Sequence, residues 1–153
     1  MKSLIIYRSV HKGNTEKIAK VIAEELISDI VSVSELNNFD VSSYDLIGFG
    51  SGIYMANFNG FVISVIDKLQ GFNGKKVFIF STSGSPKSFF NSFDKRIKKK
   101  IKENNGILVG EFNCQGFDAF GPFKLVGGIN KGRPNDLDIE NTRKFARKLK
   151  EAN

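Results

Sequence analysis

Ser9, Asn14 and Thr15 fall within one short stretch, Ser9-Val10-His11-Lys12-Gly13-Asn14-Thr15. Hydroxyl and amide side chains at that density are suited to holding an anion. The stretch follows an apolar run, Leu4-Ile5-Ile6-Tyr7, too short to be anything but a buried strand. It precedes Ile18, Ala19, Ile22, Ala23 and Leu26, which recur at helical spacing. A helix opening at Asn14 or Thr15 turns free backbone N–H groups and the positive end of its dipole into the loop, so a phosphate binds there without an arginine. Gly13 lets the backbone close round the ligand. The spacing contains neither G-x-x-x-x-G-K-[ST] nor G-x-G-x-x-G, which excludes a nucleoside-triphosphate loop and a dinucleotide fingerprint. An ordinary strand-to-helix turn with an N-cap accounts for the same residue types in any α/β protein. The remaining loops have to decide.

Two further loops repeat the theme. Leu46-Ile47-Gly48-Phe49-Gly50 reads as a third strand, and it runs into Ser51-Gly52-Ile53-Tyr54-Met55-Ala56-Asn57. Small residues there let a flat aromatic ligand approach the backbone, and Tyr54 or Met55 can cover a ring face. Val77-Phe78-Ile79-Phe80 reads as a fourth strand and hands over to Ser81-Thr82-Ser83-Gly84-Ser85-Pro86, with Ser85 placed to cap a helix and Pro86 at its first position.

The elements that must position these loops follow from periodicity. A first helix is expected from Thr15 to Ser28 and a second strand over Ile30–Val33. A second helix capped by Asn57 or Asn59 is expected to turn Phe58, Phe61, Val62, Val65, Ile66 and Leu69 inward, and a third to bury Phe90, Phe93, Ile97 and Ile101. A fifth strand starts at Ile107-Leu108-Val109-Gly110 and extends toward Cys114. Gln115–Leu137 breaks every pattern with glycines and prolines, yet carries Phe117, Phe120 and Phe123, so it reads as a functional segment or a satellite core. Asn135 or Asp136 caps a last helix with Phe145, Ala146 and Leu149 on one face. Five alternations of strand and helix predict an α/β fold in which helices cover both faces of a parallel sheet. The leading topology is a three-layer, doubly wound, five-stranded parallel sheet of order 2-1-3-4-5, formed by residues 1–153 as a single domain. Ligands bind such sheets outside the carboxyl ends of the strands, at the switch point between strands 1 and 3. The three small-residue loops meet at that edge.

The first loop, a hydroxyl residue followed closely by G-N-T at the end of the first strand, resembles the phosphate loop of the flavodoxin family. Within that family the chain is distantly similar to the flavodoxin-domain proteins that include the short bacterial protoporphyrinogen oxidases. The resemblance implies flavin mononucleotide (FMN) as cofactor. Carried over by position, Ser9, His11, Lys12, Gly13, Asn14 and Thr15 hold its phosphate. Ser51, Gly52, Ile53 and Tyr54 lie on one side of its ring, and Thr82, Ser83, Gly84 and Ser85 on the other. The chain departs from the family pattern in four places: three residues instead of two separate Ser9 from Gly13, Lys12 adds a charge, the fourth-strand loop lacks a stacking tyrosine, and the third-strand loop lacks a tryptophan. The implied function is electron transfer, with no catalytic acid or base on the protein. The alternative is an FMN-dependent oxidoreductase acting on a small substrate such as a quinone or porphyrinogen. A receiver-type signalling domain of the same architecture needs an acidic cluster and a phosphoacceptor aspartate, where this chain has Tyr7-Arg8-Ser9 and Gly50-Ser51-Gly52.

Composition narrows the classes further. One cysteine, Cys114, excludes an internal disulfide and a cysteine-based cluster, and one histidine argues against zinc. Cys114 reads as a small buried residue and His11 as a phosphate contact. The formal charge of +7 departs from the acidic character common among single-domain flavodoxins, and much of it sits in Lys95-Arg96-Ile97-Lys98-Lys99-Lys100-Ile101-Lys102. There Ile97 and Ile101 mark the inward face and the cations a solvated one. No nucleic-acid motif accompanies the charge. With no signal-peptide pattern and no apolar run of membrane-spanning length, a cytoplasmic location is expected. The expected partner is a redox protein or a small-molecule electron acceptor.

Overall fold

The apolar run at the start of the chain forms β1 (Ser3–Arg8), whose Leu4, Ile5 and Ile6 are buried on alternate faces of the sheet. Burial on both faces is what a parallel strand covered by helices on either side requires. The structure, a computed structural model, describes residues 1–10, 12–36, 40–54, 57–84, 93–117 and 128–152. Around β1 are placed α1 (Asn14–Leu26), β2 (Asp29–Ser32), β3 (Leu46–Tyr54), β4 (Asn57–Phe58), α2 (Gly60–Val65), β5 (Lys76–Ser83), α3 (Lys95–Glu103), β6 (Ile107–Gln115) and α4 (Asp136–Glu151). The sheet order is β2-β1-β3-β5-β6, all parallel, with the short β4 pairing antiparallel to the end of β3. Without β4, this is the expected order 2-1-3-4-5.

The strand parity sorts the core into two layers. Leu4, Ile6, Ile47, Phe49, Val77 and Ile79 pack under α2 and α3 with Val62, Ile66, Ile97 and Ile101. Ile5, Leu46, Phe78 and Phe80 pack under α1 and α4 with Ile18, Ile22, Ala146 and Leu149. Gly48 and Gly50 lie on this second face because the rings of Phe78 and Phe80, in the neighbouring strand, lie across them; a Cβ at either position would overlap the ring.

Several boundaries differ from the sequence reading. β3 does not stop at Gly50 but continues through Ser51-Gly52-Ile53-Tyr54, since Ser51 and Gly52 keep pairing with Ser81 and Thr82 and the strand then folds back on β4. β5 likewise runs through Ser81, Thr82 and Ser83. Small side chains broke the apolar pattern there while the backbone ladder went on. α2 begins after an Asn59 cap, whose side chain accepts from the Phe61 amide at 3.0 Å, and tightens to a 3₁₀ turn at Ile66–Lys68. Phe58 is buried from β4 rather than from the helix, and Phe61, expected inward, is 60% exposed. Residues 85–92, with Ser85, Pro86, Phe89 and Phe90, lie outside the described residues, as do His11, Met55, Phe120 and Phe123.

Candidate functional site

The chain leaves β1 at Arg8 and enters α1 at Asn14 through Lys12 and Gly13, which both take left-handed conformations, φ 57° and 69°. Gly13 adopts it without a Cβ penalty. Lys12 bears about 1 kcal/mol or more of strain, a cost typical of ligand clamps and tight turns. No side chain caps α1, and its first intrahelical bond runs from the Lys17 amide to the Gly13 carbonyl at 2.9 Å. The amides ahead of Lys17 therefore have no acceptor within the helix and face the loop. Beside them the Ser9 hydroxyl is buried with no hydrogen-bond partner. A buried hydroxyl without a partner costs about 1–3 kcal/mol. All of these unfilled groups can donate, so the cradle they form is complementary to an anion.

Asn14 and Thr15 are engaged elsewhere. The Asn14 amide donates to the Phe117 carbonyl at 2.9 Å, fastening the end of β6 to the first loop. Thr15, 2% exposed, shares a 2.8 Å hydrogen bond with the hydroxyl of Thr82, 5% exposed, at the end of β5. One of these hydroxyls donates and the other accepts; the acceptor keeps its own proton for a third group. Ser51 is fully buried. Its hydroxyl donates to the Gly52 carbonyl at 2.5 Å and accepts from the Asn59 amide at 2.9 Å, so it fixes the β3–β4 corner. Tyr54 leans back along its strand, its hydroxyl 2.6 Å from where a Gly52 Cβ would stand. Ile53 packs against the α2 side of the core.

On the far side, Asn113 of β6 donates to the hydroxyls of Ser81 at 2.9 Å and Ser83 at 3.1 Å. Asn130, itself left-handed at φ 56°, donates to the Gly84 carbonyl at 2.6 Å and the Gly116 carbonyl at 3.3 Å. The chain between β6 and α4 is thereby tied to the loop after β5. Lys17 adds a third tie, donating to the Pro134 carbonyl at 2.8 Å. Cys114 is buried beside the Arg133–Asp138 ion pair, and burial, with Asp138 adding to it against Arg133, pushes its thiol up to about 12. A thiol so protonated is a packing group, not a nucleophile.

The structure thus brings Ser9, Lys12, Gly13, Asn14, Thr15, Ser51, Gly52, Ile53, Tyr54, Thr82, Ser83 and Gly84 to the carboxyl edge of the sheet, the ends of β1, β3 and β5. His11 and Ser85 lie outside the described residues. Sequence reasoning gave Arg8 no role. At the last position of β1, paired with Ser51, its guanidinium stacks 4.3 Å from the Phe61 ring centroid, and its Nε is buried without a hydrogen-bond partner. An arginine closing an apolar strand was the available signal.

Residues 4–119 match the family model described as flavodoxin domain. An uncharacterized protein of Methanocaldococcus jannaschii is 45% identical over 150 residues, 97% of this chain and 98% of that protein. A flavodoxin of Nostoc sp. is 25% identical over 166 residues, 97% and 96% of the two chains. Among solved structures, a Streptococcus pneumonia flavodoxin superposes with a TM-score of 0.69 over 100% of both chains at 17% identity, a likeness of fold.

Proposed function

Because the chain belongs to the flavodoxin-domain family, we propose that residues 1–153 act as one domain that binds FMN non-covalently at the carboxyl edge of the sheet and carries electrons between redox partners. The observation that carries this reading is the start of α1, an uncapped helix terminus beside a buried hydroxyl without a partner. An anion with several acceptor oxygens, such as a phosphate monoester, fits that donor set. Ser9 donates its hydroxyl to the phosphate, the amides of Asn14 and Thr15 donate from the helix end, and Lys12 and His11 add positive or donor character. Thr15 accepts from Thr82 and donates its own proton outward. Ser51, Gly52, Ile53 and Tyr54 flank one face of the ring, and Thr82, Ser83, Gly84 and Ser85 the other. The flavin supplies the electron chemistry when bound. The protein binds it, orients it and excludes water, with no side-chain acid or base required.

A second reading, an FMN-dependent oxidoreductase acting on a small substrate such as a quinone or porphyrinogen, draws support from Arg8, whose buried Nε, without a partner among the described residues, can donate to a substrate oxygen. A cytoplasmic location accompanies either reading; among the described residues, no helix is long and apolar enough to cross a membrane. The visible absorption spectrum, taken before and after adding excess FMN and removing what stays unbound, tests the proposal. Stoichiometric retention of oxidised-flavin bands, weakened in Ser9→Ala, is expected. A protein that retains no flavin overturns it. Flavin turnover stimulated by a quinone or porphyrinogen selects the second reading.

A further inference from the structure

Arg8 is a cation that the fold holds in place and leaves without a counter-charge. It is the last residue of β1, and Leu4 and Ile6, four and two residues before it, pack under α2 and α3. Alternation along a strand puts Arg8 on that same face of the sheet. There its half-buried guanidinium lies 4.3 Å from the ring centroid of Phe61, in the first turn of α2. Its Nε is buried and has no hydrogen-bond partner among the described residues. Of the carboxylates at this edge, Glu16 pairs with Lys20, Asp94 with Lys98 and Asp138 with Arg133; among the described residues none pairs with Arg8.

Arg8 Nε and Ser9 Oγ are the buried side-chain polar atoms left without a partner among the described residues, and they belong to successive residues at the end of one strand. Their roles differ. The anion cradle is built at the start of α1, and α1 covers the face of the sheet opposite Arg8. Arg8 is therefore not one more phosphate donor. Its register partner is Ser51, and Phe61 follows the β3–β4 corner, so the charge is held between the first loop and the segment that ends β3. A guanidinium keeps its proton throughout the working pH range, and stacking on Phe61 fixes where the charge lies.

We infer that Arg8 sets the reduction potential of the bound flavin, its fixed charge favouring the reduced ring over the oxidised one. The inference rests on the FMN reading. In mildly alkaline solution full reduction adds two electrons and one proton, so the reduced ring carries one more negative charge than the oxidised ring. A fixed cation at the site binds that form more tightly and raises the potential accordingly. Coulomb attraction needs no contact: over about 10 Å, at an effective dielectric of about 20–40, one unit charge is worth about fourfold to twentyfold. At two electrons this is about 20–40 mV.

The test is a dithionite titration of the FMN-loaded full chain with indicator dyes in mildly alkaline buffer, read from the visible flavin bands. Quenching of FMN fluorescence gives the affinity for the oxidised flavin, and the midpoint then gives the affinity for the reduced one. Arg8→Gln and Arg8→Met are expected to lower the two-electron midpoint by about 20–40 mV. Equivalently, they weaken binding of reduced FMN about fourfold to twentyfold more than binding of oxidised FMN. Arg8→Lys keeps the charge and should restore most of the midpoint. Lys68→Gln removes one exposed cation from the 3₁₀ turn at the far end of α2 and should leave it unmoved. A midpoint unmoved in the two neutral variants, or lowered as far in Arg8→Lys or Lys68→Gln, overturns the inference and leaves the FMN reading standing. A native chain that retains no flavin overturns the FMN reading, and this inference with it.

Discussion

The Thr15–Thr82 hydrogen bond joins the first loop to the end of β5, and removing its two hydroxyls separately distinguishes what each does. Both residues are almost fully buried and their oxygens are 2.8 Å apart. Thr82→Val keeps the branched shape and removes the hydroxyl, leaving the Thr15 oxygen buried without this partner. That costs about 1–3 kcal/mol in the flavin-free protein. Thr15→Val leaves Thr82 in the same position at a similar cost. Thr15→Val combined with Thr82→Val replaces the pair by apolar contact, which is nearly neutral when both partners go. Urea unfolding of the flavin-free protein, followed by circular dichroism, should therefore show the double variant losing clearly less than the two single variants together, with a coupling energy of about 1 kcal/mol or more. Flavin affinity, read by quenching of FMN fluorescence, should separate the two sites. On the proposed reading Thr15, at the helix end, donates to the phosphate through a charge-assisted bond of about 1.5–3 kcal/mol, so Thr15→Val is expected to weaken binding about tenfold to a hundredfold. On the same reading Thr82 donates to Thr15 and not to the phosphate, and Thr82→Val is expected to weaken binding less than about threefold. Additive losses of stability would refute the bond. Equal losses of affinity would refute the assignment of its direction.

Asn130→Gly keeps the left-handed backbone but removes the donor to Gly84 and Gly116. Losing about 1 kcal/mol of loop tethering should weaken flavin binding about fivefold in the same titration, with thermal stability little changed. Cys114, its thiol pushed up to about 12 by burial, should resist iodoacetamide at about pH 8 in the native protein and react fully in urea, as mass spectrometry would read. Gly50→Ala forces a methyl group into the Phe80 ring and should cost about 1–3 kcal/mol in urea unfolding, partly restored by Phe80→Leu. The hydrogen bond from Arg147 holds the Glu25 carboxyl below its usual range, aided by Arg143. A lowered folded-state pKa stabilises above the unfolded value of about 4.3 and stops doing so as pH falls through the folded value. The stability gap between the native protein and Glu25→Gln should be present at about pH 6 and close toward about pH 3, as unfolding curves at each pH would show.

The fold was legible because each buried strand is a run of β-branched and aromatic residues and each covering helix repeats its apolar positions at three and four. Leu4–Tyr7, Leu46–Gly50 and Val77–Phe80 define the strand order almost unaided. The ends of β3 and β5 were hidden in Ser51-Gly52 and Ser81-Thr82-Ser83, where small polar residues mimic a loop while the ladder continues. Phe61 was misread because helical spacing gives a face to α2 without saying where the helix starts; Asn59 caps it after a turn of β-hairpin, and the ring falls outward beneath Arg8.

Residue types at the first loop pointed to the anion cradle, but not to how its donors divide. Of the three short polar side chains, only Ser9 is left without a partner; Asn14 and Thr15 are committed to Phe117 and Thr82. These commitments cross more than sixty residues of chain, so no local pattern could reveal them. They also explain how the cradle stays open. A helix start with a Ser or Asp cap satisfies its own amides, whereas a start at left-handed Gly13, with Asn14 and Thr15 turned to other strands, leaves its amides unsatisfied by side chains. The structure bears that local cost with ties to β5 and to the chain just after β6, and a phosphate bound as proposed would return it as affinity. On this argument a substitution that supplies a cap, Gly13→Asp, stabilises the flavin-free protein only to the extent that the new carboxylate fills the cradle. It should abolish flavin retention by occupying the anion's place and repelling its charge. Unimpaired flavin binding in Gly13→Asp, measured by the same quenching titration, would show that the anion binds elsewhere.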